Sequence, residues 1–181
     1  MAYSIAEHRH RFAVWAAARA AQRGFTTVEN LKTALETTDL RSVVSNSELL
    51  QLRASGFKEL HHTWCSSICS ALIERGIGGV AYGRAAKLVA VYLKAMVLLG
   101  EAADTPFAHE MHPPIDRTLL QNLAVSLRIK SPHKAEWRNI NWTQLNEPDY
   151  YLLADQLRAI VPKGMAFWML EEFWSPTENE A

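Results

Sequence analysis

The chain has 181 residues, of which 49% are hydrophobic and 21% are charged, and its formal net charge is +0. These values predict one globular domain spanning residues 1–181 and exclude a disordered or strongly basic chain. Two cysteines, Cys65 and Cys69, do not provide a disulfide framework. The most apolar run is interrupted by Lys87 and Lys94, and the first residues lack the apolar block of a signal peptide. We therefore expect a cytoplasmic protein without a membrane span.

Helical patterns dominate the first part of the chain, whereas the alternation typical of strands is scarce. The first predicted helix begins with Ser4 and Glu7 in a capping-box spacing and ends at Gly24. A second helix has the same kind of start at Thr26 or Thr27. The sequence therefore predicts two helices before residue 40.

Helices also account for the middle and the end of the chain. The stretch "NSELLQLRAS" predicts a short helix that ends near Gly56, and a long helix follows over 57–76. After the glycine-rich turn "GIGGVAYG", another long helix is expected from Ala85 to about Ala103, and the loop "DTPFAHEMHPP" then leads to a helix that begins at Asp116. With C-terminal helices within about 147–175, these segments predict an all-α, compact bundle of about eight helices.

The glycine-rich turn lies between two long predicted helices. Several glycines allow positive φ angles, and the start of the following helix offers free N–H groups to a phosphate. The turn is neither a P-loop nor a dinucleotide fingerprint, because a helix precedes it and the Gly-Lys-Ser/Thr ending is absent. We predict phosphate contacts from the backbone amides and the one guanidinium of Gly79, Val80, Gly83 and Arg84.

Two kinds of ionisable residue follow this turn. Asp116 opens a helix behind two prolines, so it is either a simple N-cap or a carboxylate held in a fixed direction for catalysis. Lys87 and Lys94 are seven residues apart and fall on nearly the same helical face. Lysines in such helices are usually at the surface, but an apolar setting would lower the pKa of an amine and make it nucleophilic.

The order of these parts resembles the helix-hairpin-helix DNA glycosylases. "GRAAKLV" is similar to the family's Gly-x-Gly-x-Lys pattern, with Ala85 in place of the second glycine, and Pro114-Ile115-Asp116 is similar to its downstream carboxylate element. The resemblance covers roughly residues 57–127 and looks closest to the 8-oxoguanine-glycosylase branch.

This resemblance implies a fold with a helix-hairpin-helix element and a function in base excision. It implies that Asp116 is the essential carboxylate and Lys87 the amine that gives lyase activity, with Lys94 in reserve. The implied partner is double-stranded DNA, bound by a monomer without metal or other cofactor. The implied substrate is an oxidised purine, and a hypermodified base such as those of phage DNA, as in antiviral defence, is the alternative.

Such an enzyme needs side chains that stack against an extruded base. Candidates for this base pocket are Trp64, Tyr82, Phe167 and Trp168. Cationic residues form two clusters in the sequence, which in most proteins would be solvated surface. They are Arg9, Arg11, Arg19 and Arg23, and later Arg128, Lys130, Lys134 and Arg138.

Two alternatives remain open at this point. His61, Cys65 and Cys69 recur every four residues and could bind zinc, although cysteines on one helical face are more often core residues. The whole chain could also be a non-enzymatic helical module that binds DNA or a protein, in which case Asp116 would be only a helix cap.

Overall fold

A computed structural model describes residues 3–100 and 102–175; within it, the side chains at positions 54 and 55 are not described. The described part is all-α and contains no strand, which confirms the predicted fold class. Its nine α-helices are α1 (Ile5–Gln22), α2 (Val28–Glu36), α3 (Leu40–Val44), α4 (Ala54–Glu74), α5 (Tyr82–Leu93), α6 (Pro106–Glu110), α7 (Arg117–Val125), α8 (Lys134–Trp137) and α9 (Glu147–Arg158).

Helix α5 lies at the centre of the bundle. It packs against α1 and α4, and α2 packs on both of these outer helices. Ten of the twelve residues of α5 are buried, including Lys87, so the helix is enclosed on nearly every side. A run of alanines on α1, among them Ala13 and Ala17, allows the backbones of α1 and α5 to approach closely.

Local capping signals fix several helix starts. The side-chain oxygen of Ser4 accepts a hydrogen bond from Glu7 N, and that of Thr27 accepts one from Asn30 N. Helix α1 ends through Arg23 and Gly24, whose φ angles of 36° and 68° are both left-handed. Both predicted starts and the predicted stop near Gly24 are therefore confirmed.

Other predicted boundaries were wrong. The short helix over "NSELLQLRAS" is instead a 3-10 helix at Leu49–Gln51, and α4 already begins at Ala54 and continues through Gly56. The helix expected to reach about Ala103 ends at Leu93 and continues only as a π-helical turn at Lys94–Leu98. The segment predicted as a loop before Asp116 contains α6.

The C-terminal part packs against the middle of the chain. Helix α9 contacts α5, and a 3-10 helix at Phe167–Phe173 packs on α6 and α7. A second 3-10 helix at Trp142–Gln144 lies on the first turn of α5, which it reaches because that turn contains Gly83. Among the described residues, no helix combines the length and apolar character that crossing a bilayer requires.

Candidate functional site

Lys87 and Asp116 form an ion pair inside the protein. Lys87 Nζ lies 2.8 Å from Asp116 Oδ2, and only 5% of Lys87 and 2% of Asp116 is exposed. The two residues come from the middle of α5 and the start of α7, so the bundle brings together the amine and the carboxylate that the sequence singled out. A pair this deeply buried needs further hydrogen bonds to offset the loss of hydration.

Asp116 is held by both of its oxygens. As the N-cap of α7, it accepts a hydrogen bond from Leu119 N through Oδ1 at 3.0 Å. Its Oδ2 accepts from Lys87 and also from Trp174 Nε1 at 3.2 Å. Pro114 and Ile115, directly before it, are buried and fix its approach. The cap interpretation and the reactive interpretation are therefore compatible, because one oxygen caps the helix while the other meets the lysine.

Burial and pairing act in opposite directions on this pair. Burial raises the pKa of Asp116, but the charge and hydrogen bond of Lys87, with the bonds from Leu119 and Trp174, outweigh it and hold the pKa below its usual range. Burial lowers the pKa of Lys87, and the Asp116 carboxylate only partly opposes this effect. The Lys87 ammonium also lies 4.6 Å from the centre of the Trp142 ring. The carboxylate is thus ionised at neutral pH, and the amine loses its proton more readily than an exposed lysine does.

A crevice of about 270 Å³ opens beside the pair. Its walls are mostly apolar, and they are formed by α1, α5 with its π-helical turn, the segment before α7 and the C-terminal segment. The lining residues are Phe12, Ala16, Ala20, Lys87, Val91, Lys94, Ala95, Leu99, Pro114, Asp116, Glu171 and Trp174. The ion pair therefore borders a space that a ligand could enter.

A second ion pair lines the same crevice. Lys94 Nζ contacts Glu171 Oε2, and the Lys94 side chain is 39% exposed. Burial raises the pKa of Glu171, although Lys94 opposes this rise. Both lysines thus border the crevice, and the more buried one, Lys87, is the one that contacts Asp116.

The residues predicted to hold phosphate at the glycine-rich turn occupy different surroundings. Gly79 is exposed with a φ of 69°, and Val80 is half-buried. Gly83 N donates to Leu145 O at 3.1 Å, so this N–H is already used within the fold. Arg84 donates to Ala21 O and to Gln22 O at the end of α1. The Arg84 guanidinium therefore connects α1 to α5. Of the four residues predicted to contact phosphate, only Gly79 and Val80 are not used in these hydrogen bonds.

The four residues predicted for the base pocket do not line the crevice. Trp64 is fully buried and donates from Nε1 to Asp39 Oδ1 at 2.6 Å. Tyr82 lies in an aromatic cluster with Tyr151, and Phe167 is buried in the core. Trp168 is half-buried.

The aromatic residues of the crevice are instead Phe12 and Trp174. Phe12, Ala16 and Ala20 are four residues apart on α1, a spacing that puts them on one helical face. That spacing is visible in the sequence, but it does not distinguish a crevice wall from a surface contact. Trp174 follows the last 3-10 helix, and nothing in its local sequence indicates a bond to Asp116.

The candidate zinc ligands on α4 are packed as core. His61 and Cys65 are buried, and burial lowers the pKa of His61 to about 3 and raises that of the Cys65 thiol. Burial also raises the pKa of Cys69 to about 11. Within the described ranges, no group of three or more His, Cys, Asp or Glu side chains is arranged to hold a metal ion.

Comparison with known proteins found no relative of this chain. No protein family matches the chain, and no curated protein or solved structure is significantly similar to it.

Proposed function

We propose that this protein is a DNA glycosylase that extrudes a modified base and cleaves its N-glycosidic bond. The observation that carries this proposal is the 2.8 Å contact between Lys87 Nζ and Asp116 Oδ2 at the wall of a crevice. The order of the glycine-rich turn, the lysine and Pro-Ile-Asp along the sequence supports this reaction class through its resemblance to the helix-hairpin-helix DNA glycosylases. We further propose that the protein acts as a monomer on double-stranded DNA in the cytoplasm.

The proposed role of Asp116 is electrostatic. When a glycosidic bond breaks, positive charge develops on the sugar, and a fixed carboxylate beside it stabilises the transition state. Asp116 is suited to this because its low pKa keeps it ionised and because Leu119 N and Trp174 Nε1 fix its orientation. Little reorganisation is then needed during the reaction.

The proposed role of Lys87 is nucleophilic. Burial lowers its pKa, so Nζ loses one proton to the crevice more readily than an exposed lysine would, while Asp116 stays ionised. The neutral amine attacks C1′ of the sugar, and a bond between Nζ and C1′ forms as the bond to the base breaks. The bonding electrons leave with the base, which takes up the released proton. As the C1′–O4′ bond of the sugar then breaks, its electron pair stays on O4′, which takes one of the two remaining protons of Nζ. The freed nitrogen lone pair forms the double bond to C1′, which yields an iminium ion on Lys87, the intermediate of a lyase reaction.

The crevice has room for a base. An apolar cavity of roughly 150 Å³ holds a benzene molecule, and the crevice of about 270 Å³ is large enough for a bicyclic base. Its apolar walls and the ring of Trp174 offer stacking surfaces at the pair. We propose an oxidised purine as substrate, with a hypermodified base of phage DNA as the alternative.

Base release tests the carboxylate. Duplexes that contain one oxidised or hypermodified base are incubated with the protein, then treated with alkali, and strand breaks at abasic sites are measured. Asp116→Asn keeps a good N-cap residue but removes the charge, so we expect at least about a hundredfold loss of base release. Equal activity of wild type and variant, or no base release on any duplex, would leave Asp116 as a helix cap in a non-enzymatic module.

Borohydride trapping tests the amine. Borohydride reduces an iminium ion to a stable covalent adduct between protein and DNA, which is separated by electrophoresis. We expect the adduct with wild type and its loss in Lys87→Gln. Lys94→Gln is the matched control, because Lys94 lines the same crevice but contacts Glu171. Loss of the adduct only in Lys94→Gln would transfer the nucleophilic role to Lys94.

A further inference from the structure

Three arginines from distant parts of the chain line one cleft beside the candidate site. Arg23 lies at the end of α1, Arg117 begins α7, and Arg138 follows α8. The cleft has a volume of about 420 Å³ and is separate from the crevice of Lys87. We call it the three-arginine cleft; its other lining residues are Asn139, Ile140, Asn141, Trp142 and Thr143.

The arginines of this cleft have no anionic partner in the part of the chain that the structure describes. Over residues 3–100 and 102–175, neither Arg23, Arg117 nor Arg138 forms an ion pair, and no acidic residue lines the cleft. All three are exposed. Like charges gathered in one concave surface repel one another unless an anion joins them, and such surfaces attract anions.

Several other members of the two basic clusters of the sequence are used within the fold. Arg11 pairs with Glu7, and Arg128 pairs with Glu172. Lys134 donates to Ser126 O at 2.6 Å. Arg23 and Arg138 are the members, one from each cluster, that meet in the cleft. The tertiary structure therefore selects particular cations from clusters that the sequence alone indicates only as solvated surface.

The cleft has further groups that suit a phosphate. Thr143 donates to Asn141 Oδ1 at 2.7 Å, and the side-chain N–H groups of Asn141 have no acceptor among the described residues. Guanidinium and amide N–H groups are among the donors from which phosphate oxygens accept hydrogen bonds in DNA complexes. The donor set is thus cationic and amide, and none of the described lining residues is a carboxylate that would repel an anion.

The cleft adjoins the candidate site on two sides. Arg117 is the residue directly after Asp116 in the chain. Trp142 lines the cleft, and the centre of its ring is 4.6 Å from Lys87 Nζ. The positive charge of Arg23 acts on Lys87 as well, where it lowers the pKa. A phosphate in the cleft would therefore lie next to a sugar placed at the acid–amine pair.

We propose that the three-arginine cleft binds the DNA backbone phosphate adjoining the extruded nucleotide. The proposal rests on the proposed function for the position of that nucleotide, whereas binding of the phosphodiester itself does not depend on base excision. The arginines hold the strand by its phosphate and so set which sugar reaches Lys87 and Asp116. Such contacts position the DNA without reading its sequence.

Salt-dependent binding to unmodified duplex DNA tests the cleft. A fluorescein-labelled duplex is titrated with the full-length chain at several NaCl concentrations, and anisotropy gives the affinity. We expect Arg23→Gln/Arg138→Gln to weaken binding by at least about tenfold. If the double variant no longer neutralises the one phosphate that the cleft holds, the slope of log affinity against log salt falls by about 0.9. Unchanged thermal melting of this double variant confirms that it is folded.

A variant with the same change in charge is the control. Arg53 and Lys163 are exposed, line neither the crevice nor the cleft, and form no ion pair among the described residues. We expect Arg53→Gln/Lys163→Gln to weaken binding less than threefold. An equal loss in both double variants would overturn the proposal, since only total charge would then matter. A second experiment measures thermal melting with inorganic phosphate at millimolar concentration. If phosphate raises the melting temperature of the wild type while Arg23→Gln/Arg138→Gln still binds DNA normally, the cleft binds free phosphate and the proposal fails.

Binding and base release are measured separately, so the two proposals can fail separately. If the cleft variant loses DNA affinity but wild type releases no base, the cleft stands and the glycosylase function fails. If base release occurs at full rate in the cleft variant under subsaturating protein, the glycosylase function stands and the cleft fails.

Discussion

Replacing Lys87 with methionine is expected to destabilise the protein strongly. Methionine fills a similar volume, so the main loss is the ammonium that pairs with Asp116. The carboxylate would keep its bonds from Leu119 N and Trp174 Nε1 but would be buried without a counter-charge. Removing one partner of a buried pair costs about 3–5 kcal/mol in the free energy of unfolding.

The size of the change in melting temperature follows from the length of the chain. For domains of roughly this size, 1 kcal/mol corresponds to about 2–4 °C in Tm. We therefore expect Lys87→Met to lower the Tm by about 6–20 °C at pH 7. Lys94→Met is the internal comparison, because its pair with Glu171 is partly exposed. Because the Lys94 side chain is 39% exposed and burial already favours the protonated form of Glu171, the second variant should lose fewer degrees than Lys87→Met.

The destabilisation by Lys87→Met should depend on pH in a defined direction. In the wild type, the pKa of Asp116 is lowered in the folded state. A group of this kind stabilises the fold above its unfolded pKa of about 3.9, and that contribution is lost as pH falls through the lowered folded value. In the variant, burial is no longer opposed by Lys87, so the protonated carboxyl is the favoured form. The pKa of Asp116 in the variant therefore lies above its unfolded value, and the difference in stability between wild type and Lys87→Met should be largest at pH 7, begin to shrink above about pH 4 and shrink further as pH falls through the lowered wild-type pKa.

Urea unfolding at pH 7 and near pH 3.5 measures this difference directly. The double variant Lys87→Met/Asp116→Asn completes the cycle, because it removes both charges and should recover most of the lost stability. Equal destabilisation by Lys87→Met and Lys94→Met would refute the reasoning. A loss of unfolding free energy in Lys87→Met that stays constant with pH would also refute it, because Asp116 would then not be the group left unpaired.

Two further predictions concern the packing around α5 and the thiols of α4. Gly83→Ala would place a Cβ 2.1 Å from Trp142 O, so we expect urea unfolding to show a loss of about 3 kcal/mol or more in the free energy of unfolding. Gly78→Ala is the control, because its added Cβ meets no atom within 4 Å, and it should change that free energy by less than about 0.5 kcal/mol. Burial raises the pKa of both thiols, so Cys65 and Cys69 should react slowly with a disulfide reagent at pH 8 and rapidly in urea; rapid reaction of Cys65 in the native protein would contradict its burial.

The sequence by itself determined the all-α class and several helix starts. Those starts depend on bonds between residues three positions apart, such as Ser4 with Glu7 N and Asp116 with Leu119 N. Such contacts form within one turn, and the local residue pattern is therefore enough to predict them. The sequence also indicated Lys87 as a lysine in an apolar setting, because the surrounding residues of α5 are nearly all apolar.

Only the tertiary structure decided which of these residues meet. The contact of Lys87 with Asp116 joins residues 29 positions apart, and that of Trp174 with Asp116 joins residues 58 apart. Likewise, Arg84 binds carbonyls at the end of α1 instead of remaining free at its turn. Helical periodicity specifies the direction of a side chain relative to its own helix. Which residue that side chain contacts depends on how helices from distant parts of the chain pack together. That packing is set by the complementarity of whole helix surfaces.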